Sequence, residues 1–452
     1  MDKQTSSRSS EQGTLRLMAC VAIIIGGMIG SAIFSLSGLT ILDAGPSATV
    51  SWIIAAVIML IYALCVAELS IIFPKSGGVF VFPAKALGKN EQQGSLWGWL
   101  STWGYINANI VAVAFSAVYV SIYLGAGFGI SNDWQIPLAI LSILFCLLLN
   151  ALRVAIAGKV NGILVSGLVI ALGIFVVVAF FGGKWDTSLL TPFFSQGRAG
   201  NVGFLSAVPT AMMAYGSIVA IAFMVGEVKN PQKNVPKSIL IAMSIVTFIY
   251  VLVILATSSL IAADYLKANP GMTYIPLYAA VFTKLSAFPW LSKVISIAAI
   301  LALLTTMLVL IALTSRAMQA SSENKLLPKI FSKKGKGRTP LFSSVIFSLA
   351  SIALACFPVF TQEIIGFAAL FSVVTIAINF ISLIVARKKF PNIENRFHAP
   401  GGKVLPIAGM TLIAVCYVPD IINGGWIIWA YSIIWYAVGF IVWKLSKASK
   451  SI

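Results

Sequence analysis

Two glycine-containing segments interrupt long apolar stretches of this chain, at residues 26–32 (GGMIGSA) and 214–217 (AYGS). A helix that breaks inside a bilayer leaves backbone N–H and C=O groups unpaired, and hydrocarbon offers them no partner. Such breaks are tolerated only where they line a cavity or meet a ligand, and paired breaks in two halves of a chain point to a transporter's binding site. The sequence therefore predicts a site for a small solute between the two segments.

The elements that must position these segments are membrane spans. Of the 452 residues, 59% are hydrophobic and 10% are charged, whereas soluble proteins carry about 25% charged residues. Runs of roughly 20 apolar residues, the length of a spanning helix, predict an all-α membrane protein. Twelve transmembrane helices are predicted, at residues 15–42, 47–73, 96–126, 134–152, 157–182, 203–227, 236–262, 290–318, 340–360, 362–386, 405–422 and 426–445. Residues 1–14 have no cleavage-site pattern and are expected to be a tail before the first span.

The net charge of +18 is distributed unevenly along the chain. Basic loops stay on the cytoplasmic side of a membrane protein, and this asymmetry predicts that both termini are cytoplasmic. The expected location is the plasma membrane. We therefore expect a lipid bilayer as partner and no nucleic acid, while the oligomeric state stays open. The basic residues left on the outer side are Lys184, Arg198, Lys267, Lys284 and Lys293.

Neither a cofactor nor a metal site is expected. The cysteines form no C-x-x-C pair and lie within predicted spans, where they are expected to pack as small apolar residues. The single histidine, His398, cannot form a histidine cluster. No nucleophile–base pair or phosphate-binding loop is visible, so the sequence does not suggest an enzyme. The cysteines are Cys20, Cys65, Cys146, Cys356 and Cys416.

The two breaks divide the spans into two halves. Helices one to five (about 15–182) and six to ten (about 203–386) can be laid over one another with opposite topology. This inverted repeat would place a substrate site at the midplane, between two discontinuous helices. Residues 387–452 would add two peripheral helices and a tail. Their tryptophans are expected to anchor at the membrane interfaces, at Trp426, Trp429, Trp435 and Trp443.

Four motifs resemble those of the amino acid–polyamine–organocation (APC) superfamily of transporters. Residues 26–34 (GGMIGSAIF) resemble its G-x-x-I-G-S/T-G-I-F signature, and residues 68–78 (ELSIIFPKSGG) its E-L-x-x-x-x-P-x-S-G-G stretch. Residues 226–239 (GEVKNPQKNVPKSI) are similar to its E-x-x-N-P…P-x-A/S-I stretch, and residues 315–340 contain its S-R…L-P…T-P pattern. The resemblance implies a five-plus-five inverted-repeat (LeuT-like) core with broken helices 1 and 6, alternating access, and transport of an amino acid or related amine.

Physical chemistry assigns roles within such a site. Free amides at the start of the outer half-helix, those of Gly30, Ser31 and Ala32, would bind a substrate carboxylate, because unpaired N–H groups and the helix dipole favour an anion. Carbonyl groups at about residues 25–27, together with those of Ala214 and Tyr215, would accept an α-ammonium group. In the alternative interpretation, the glycines of the break are helix–helix packing positions. The predicted substrate-binding residues are Met28, Ile29, Gly30, Ser31, Ala32, Asn109, Met213, Ala214, Tyr215, Gly216 and Leu310.

The residues around this site favour a neutral amino acid. In the arginine–agmatine antiporter branch of the superfamily, aromatic rings stack on the cationic substrate, and the matching positions here are Met213 and Leu310. Each missing ring removes about 0.5–2 kcal/mol of cation–π stabilisation, and no acidic residue falls at mid-depth to compensate. A polyamine or cationic amino acid antiporter remains the rival. Ala32 replaces the family's usual glycine, which would narrow the site or indicate a substrate without a conventional amino acid head.

Polar residues at mid-depth extend the set of candidates. Asn109 is expected to face the pocket, whereas Asn107 contacts either substrate or a neighbouring helix. Ser372 and Thr375 are weaker candidates on helix ten.

The sequence says less about how transport is coupled to an ion gradient or to exchange. A lysine common in relatives on helix five is replaced by Leu168, and Lys159 is expected to snorkel to the interface. Sodium would need hydroxyl and carbonyl oxygens, available at residues 305–306 or 314–315. We expect exchange slightly more than proton- or sodium-coupled symport. Glu68 and Glu227 are expected to pair with basic residues of an inner gate. A non-transporting sensor and an ion channel are the remaining alternatives.

Overall fold

The computed structural model describes residues 15–73, 78–152, 158–194, 196–333, 340–357, 361–391, 397–423 and 426–448. The described part of the chain is helical, apart from one isolated bridge between Leu15 and Val228. The helices of the first half are α1 (Leu17–Met28), α2 (Ser31–Ser35), α3 (Ser37–Ala44), α4 (Ala48–Ile72), α5 (Gly78–Leu87), α6 (Glu91–Phe128), α7 (Gln135–Ala151) and α8 (Gly158–Phe181). The remaining helices are α9 (Gly203–Ser206), α10 (Val208–Met213), α11 (Ala220–Phe223), α12 (Pro231–Ser258), α13 (Ala263–Ala268), α14 (Pro270–Thr273), α15 (Pro276–Lys284), α16 (Pro289–Glu323), α17 (Leu341–Ala355), α18 (Thr361–Lys389), α19 (Val404–Asn423) and α20 (Trp426–Ala448).

The first predicted break is present. Helix α1 ends at Met28, where the Ile29 N–H closes its last turn on the Ile25 carbonyl, and α2 begins at Ser31. Gly30 has φ −140° and ψ −142°, a conformation that is neither helical nor regular extended backbone. A Cβ atom at Gly30 would lie 2.5 Å from Oγ1 of Thr306 on α16, so no other residue fits here unless that hydroxyl moves. The close approach of the Thr306 side chain therefore explains why glycine stands at this position of the break.

The second break is more extensive. Residues 203–227 form short pieces instead of one helix: α9, α10 and α11, with 3₁₀ turns at Gly216–Val219 and Val225–Glu227. Helix α10 ends at Met213, next to the Ala214–Gly216 stretch that the sequence singled out. The two breaks touch, because a Cβ atom at Gly27 would lie 2.9 Å from Cβ of Ser217.

Eight helical stretches among the described residues are long and apolar enough to cross a membrane. The broken stretch 203–227 contains no helix of spanning length, and α17 and α19 are shorter apolar helices. These findings establish an all-helical membrane protein. The eight stretches are Leu17–Ser35, Ser37–Ile72, Glu91–Phe128, Asn132–Ala151, Ile163–Phe181, Pro231–Ser258, Pro289–Glu323 and Ala368–Lys389.

The packing places the breaks at the centre of the molecule. Helix α6 lies against α16 and α18, while α12 lies against α1 and α4. Side chains around the break, such as Ile33 and Phe34, are fully buried. The long helices expose leucine, isoleucine and phenylalanine on their other faces, as expected for surfaces that meet lipid.

The last helix packs more closely on the core than expected. Trp435 stacks on Trp103 of α6 at 4.9 Å between ring centroids, and each indole N–H donates to the other residue's carbonyl. Trp443 is buried and donates to Ser95. Both indoles thus contact α6, and their role as interfacial anchors stays a prediction. Trp426 and Trp429 are exposed, as an interfacial position requires.

Candidate functional site

A cavity of about 170 Å³ opens at the two breaks. One water-sized group needs roughly 10–15 Å³ of such volume, so the cavity holds on the order of ten such groups, which suits a small solute. Backbone and side chains from both broken segments line it, together with residues of α4, α6, α16, α18 and α19.

The cavity gathers most of the predicted site residues. Ile29 and Tyr215 are not among its lining residues, and both are buried in the protein. The weaker candidates Ser372 and Thr375 do line it. The predicted residues on its wall are Met28, Gly30, Ser31, Ala32, Asn109, Met213, Ala214, Gly216 and Leu310.

The amides at the break are not all free. The Ser31 N–H donates to Oγ1 of Thr306 at 3.1 Å, and that hydroxyl donates to the carbonyl of Ala302 at 2.8 Å. The expectation of an open Ser31 amide is therefore wrong for this conformation. Gly30 makes no helical bond to Gly26, because no helical turn crosses residues 29 and 30.

Three aromatic residues stand behind the break and join neighbouring helices. Trp52 of α4, Tyr215 and Tyr250 of α12 are fully buried, and their ring centroids lie 5.0–6.2 Å apart. The Tyr215 hydroxyl donates to the Trp52 carbonyl at 3.2 Å, and the Tyr250 hydroxyl donates to the Met28 carbonyl at 2.5 Å. None of the three residues lines the cavity, so these contacts support the broken segments from outside it.

The cavity wall has no charged side chain among the described residues. Its aromatic rings come from Tyr62, Tyr105, Phe115 and Tyr417. Sequence reasoning missed all of these rings because it followed only the positions that carry rings in the antiporter branch. Tyr417 lies on α19, which was expected to be peripheral.

A signal for part of this wall was present in the sequence. Tyr105, Ala108, Asn109 and Ala112 recur at the spacing of one helix face, and all four line the cavity. The same holds for Met59 and Tyr62 on α4. No comparable sequence pattern indicated Tyr417, because its approach to the cavity depends on how α19 packs.

The two asparagines of α6 face in different directions. The Asn107 amide nitrogen donates to the hydroxyl of Tyr431 on α20 at 3.0 Å, so this residue joins two helices. Asn109 lines the cavity beside Tyr105, with which it interacts, and its buried amide nitrogen makes no hydrogen bond of normal geometry among the described residues. An unpaired donor in a low-dielectric site is costly, which makes Asn109 available to a bound solute.

A buried ion pair closes one end of α4. Glu68 is fully buried and accepts from Nε and Nη2 of Arg387 at 2.9 and 2.5 Å. Its Oε2 also accepts the Ala399 N–H at 2.8 Å, and Nδ1 of His398 lies 3.6 Å from Oε1. The prediction that Glu68 pairs with a basic residue is confirmed.

Glu227 behaves differently from Glu68. Its side chain is exposed, and no ion pair of this carboxylate occurs within the described ranges. Its carbonyl accepts the Leu15 N–H at 2.9 Å, and the Leu15 carbonyl accepts the Lys229 N–H at 2.9 Å. These two bonds tie the start of α1 to the chain after α11.

The residues considered for coupling are mostly engaged elsewhere. Leu168 is buried, and the side chain of Lys159 lies outside the described residues. Thr305 and Ser315 donate to carbonyl groups of their own helix. The buried Thr314 hydroxyl has no partner in the part of the chain that the structure describes.

Membrane-spanning helices that break around a central uncharged cavity define a transporter of small molecules. A family model described as amino acid permease matches residues 15–443. The chain therefore belongs to the amino acid permease family, within the APC superfamily, and its function class is amino acid transport across a membrane.

Similar curated proteins are also transporters. The branched-chain amino acid permease BcaP of Bacillus subtilis is 27% identical over 99% of this chain and 96% of its own length. The methylthioribose transporter of the same organism is 28% identical over 100% and 97% of the two chains. The chloroplastic cationic amino acid transporter 6 of Arabidopsis thaliana is 28% identical over 76% of this chain and 60% of its own.

Proposed function

We propose that this protein is a secondary active transporter that carries neutral amino acids with apolar side chains across the plasma membrane. The observation that carries this proposal is a solute-sized cavity at two helix breaks whose described wall has backbone polar groups but no charged side chain. A zwitterion needs no net counter-charge, so such a site suits it. A substrate with a charged side chain would be left without an ionic partner.

The head of the substrate would be held mainly by backbone. The amides of Gly30 and Ala32 stand at the start of the outer half-helix, where a carboxylate is favoured. The Gly27 carbonyl has no helical partner and the stretch at Ala214 is irregular, so these groups would accept the α-ammonium. The broken segments would thus bind both the α-carboxylate and the α-ammonium group of an amino acid.

The side chain of the substrate would lie on an apolar wall. Methionine, leucine and isoleucine side chains dominate it, and they suit an aliphatic or thioether group through flexible packing. Similarity to a branched-chain amino acid permease over nearly the full length supports this choice. The methionine, leucine and isoleucine residues of the wall are Met28, Leu36, Met59, Met212, Met213, Leu310, Leu313 and Ile376.

Alternating access would operate through the arrangement proposed from the sequence. Twelve spans with both termini cytoplasmic would form a five-plus-five inverted repeat over residues 15–386, followed by two further helices. Broken segments that touch each other across the cavity support this arrangement, since the substrate can close the gap between them. Exchange of one amino acid for another remains our preferred coupling.

One second candidate rests on a specific residue. Ala32, where the family usually has glycine, lines the cavity and adds a methyl group at the position proposed for the carboxylate. Similarity to a methylthioribose transporter over the whole chain fits a neutral thioether solute without an amino acid head. The four aromatic rings of the wall also keep a cationic amine in consideration.

Uptake into proteoliposomes tests these alternatives together. Radiolabelled L-leucine uptake should require unlabelled amino acid inside, ignore sodium and proton gradients, and be inhibited by L-methionine but not by L-arginine. Uptake into empty vesicles driven by an ion gradient would establish symport instead. Inhibition by methylthioribose alone, or by arginine or putrescine in preference to leucine, would reject the neutral amino acid assignment.

A further inference from the structure

A break in a helix strands particular backbone groups, and the Met28 carbonyl is the last one of α1. In a continuous helix this oxygen would accept the N–H four residues later, which belongs to Ala32. No helical turn crosses residues 29 and 30, so that bond is not made. The Tyr250 hydroxyl donates to the Met28 carbonyl instead, at 2.5 Å.

Tyr250 is held firmly enough to define where this carbonyl lies. Its side chain is fully buried, and its ring contacts Trp52 and Tyr215 edge to face, at 5.0 and 5.4 Å between centroids. Packing on two buried rings fixes the phenol, because aromatic pairs prefer this geometry. The hydroxyl therefore reaches α1 from a fixed point on α12.

We propose that Tyr250 is a positioning residue of the transport site, which keeps the Ala32 amide available for the substrate carboxylate by occupying the Met28 carbonyl. Without the hydroxyl, the Met28 carbonyl is an unpaired buried acceptor. Its nearest helical donor is the Ala32 N–H, and a bond between them would continue α1 across the break. The inference rests on the proposed binding of an amino acid carboxylate at this break.

The chain offers a matched control for the loss of this hydroxyl. Tyr123 of α6 is also fully buried, and its hydroxyl donates to the Phe34 carbonyl at 2.6 Å. Phe34 lies on the same first helix but beyond the break, and it does not line the cavity. Tyr250→Phe and Tyr123→Phe therefore each remove one hydroxyl that donates to a carbonyl of the first predicted span. The two carbonyls lie on opposite sides of the break. Both variants keep the ring, so both are expected to fold.

The test compares L-leucine with L-leucinol, which keeps the ammonium and the side chain but lacks the carboxylate. Inhibition constants are measured for both ligands in the wild-type protein and the two variants. Tyr250→Phe should weaken leucine binding by about three- to tenfold, the effect of one hydrogen bond, and leave leucinol nearly unchanged. Tyr123→Phe should leave the ratio of the two constants at its wild-type value. Equal weakening of both ligands by Tyr250→Phe would overturn the inference.

A second measurement needs no substrate and separates this inference from the proposed function. Hydrogen–deuterium exchange is measured on peptides that cover residues 26–36. Exchange should become slower in Tyr250→Phe, because the Ala32 N–H then bonds the Met28 carbonyl. It should match the wild type over residues 26–32 in Tyr123→Phe. Identical exchange of the break in all three proteins would overturn the positioning role. A wild-type protein that binds neither leucine nor any other amino acid would overturn the proposed function, while the exchange result would still decide the role of Tyr250.

Discussion

Replacement of Glu68 by glutamine should destabilise the protein by about 3–5 kcal/mol, the cost of breaking a buried ion pair by removing one partner. Glu68 is fully buried and the Arg387 side chain is 11% exposed, so water cannot replace the lost charge. Glutamine keeps the shape and one acceptor oxygen, but one guanidinium N–H loses its carboxylate partner. Arg387 retains the carbonyls of Ala399 and Gly402, which places the expected cost toward the lower end.

The cysteines of the chain provide the assay. Four of them are buried and Cys356 is half-buried, so a thiol-reactive dye reports unfolding in detergent as fluorescence. With an unfolding entropy of about 2.1 cal/mol/K per residue over 452 residues, 3–5 kcal/mol lowers the midpoint by about 3–5 °C. The fall is larger if helices persist after unfolding, because the entropy is then smaller. Cys65 lies one turn before Glu68, so the same measurement in a Cys65→Ala background distinguishes global unfolding from local opening.

A double-mutant cycle decides whether the pair acts as a unit. Arg387→Gln alone leaves the Glu68 carboxylate buried with the Ala399 N–H as its main donor, so this variant should lose at least as much stability as Glu68→Gln. The double variant should be more stable than the sum of the two losses predicts by about 2 kcal/mol, since contacting residues are not additive. Strictly additive losses, or losses under about 1 kcal/mol for either single variant, would refute the reasoning.

The remaining predictions concern the cavity. Gly30→Ala should reduce leucine transport by more than about tenfold, because its Cβ would lie 2.5 Å from Oγ1 of Thr306. Adding Thr306→Ala to this variant should restore part of the transport. The control Gly167→Ala, whose Cβ meets no atom within 4 Å, should transport normally. Asn109→Leu should lower the affinity for leucine by about three- to tenfold with a small effect on the melting midpoint. Asn107→Leu should do the reverse, because Asn107 donates to a neighbouring helix. Equal effects of the two asparagine variants on affinity would contradict the assignment of Asn109 to the site.

The sequence predicted those features of the fold that depend on local residue type, such as glycine positions and runs of apolar residues. Glycine at residues 26, 27 and 30 predicted the first break, and runs of apolar residues predicted helices, most of which end within a few residues of those observed. The wall of the cavity was predicted through the broken segments and Asn109. Those residues share local patterns that need no knowledge of distant contacts.

What the sequence could not provide depends on contacts between distant parts of the chain. Ser31 and Thr306 are separated by 275 positions, so nothing local indicated that the Ser31 amide would be engaged. The indole stacking of Trp435 on Trp103 and the approach of Tyr417 to the cavity likewise depend on how the last helices pack. Tyr215 was placed in the site because of its register beside a break, but its ring turns into the aromatic group with Trp52.

The first helix is interrupted at a buried part, where two hydroxyl groups from other helices satisfy backbone groups at the break, while a third binds the chain beyond it. Tyr250 binds the carbonyl before the break, Thr306 binds the amide after it, and Tyr123 binds the Phe34 carbonyl further along. An unsatisfied buried group costs about 1–3 kcal/mol, whereas a typical hydrogen bond contributes about 0.5–1.5 kcal/mol net. The protein therefore satisfies the Met28 carbonyl and the Ser31 amide itself, and leaves the Ala32 amide and the Gly27 carbonyl for the proposed substrate. Substrate binding energy then need not create the site and remains available to bias the conformational equilibrium.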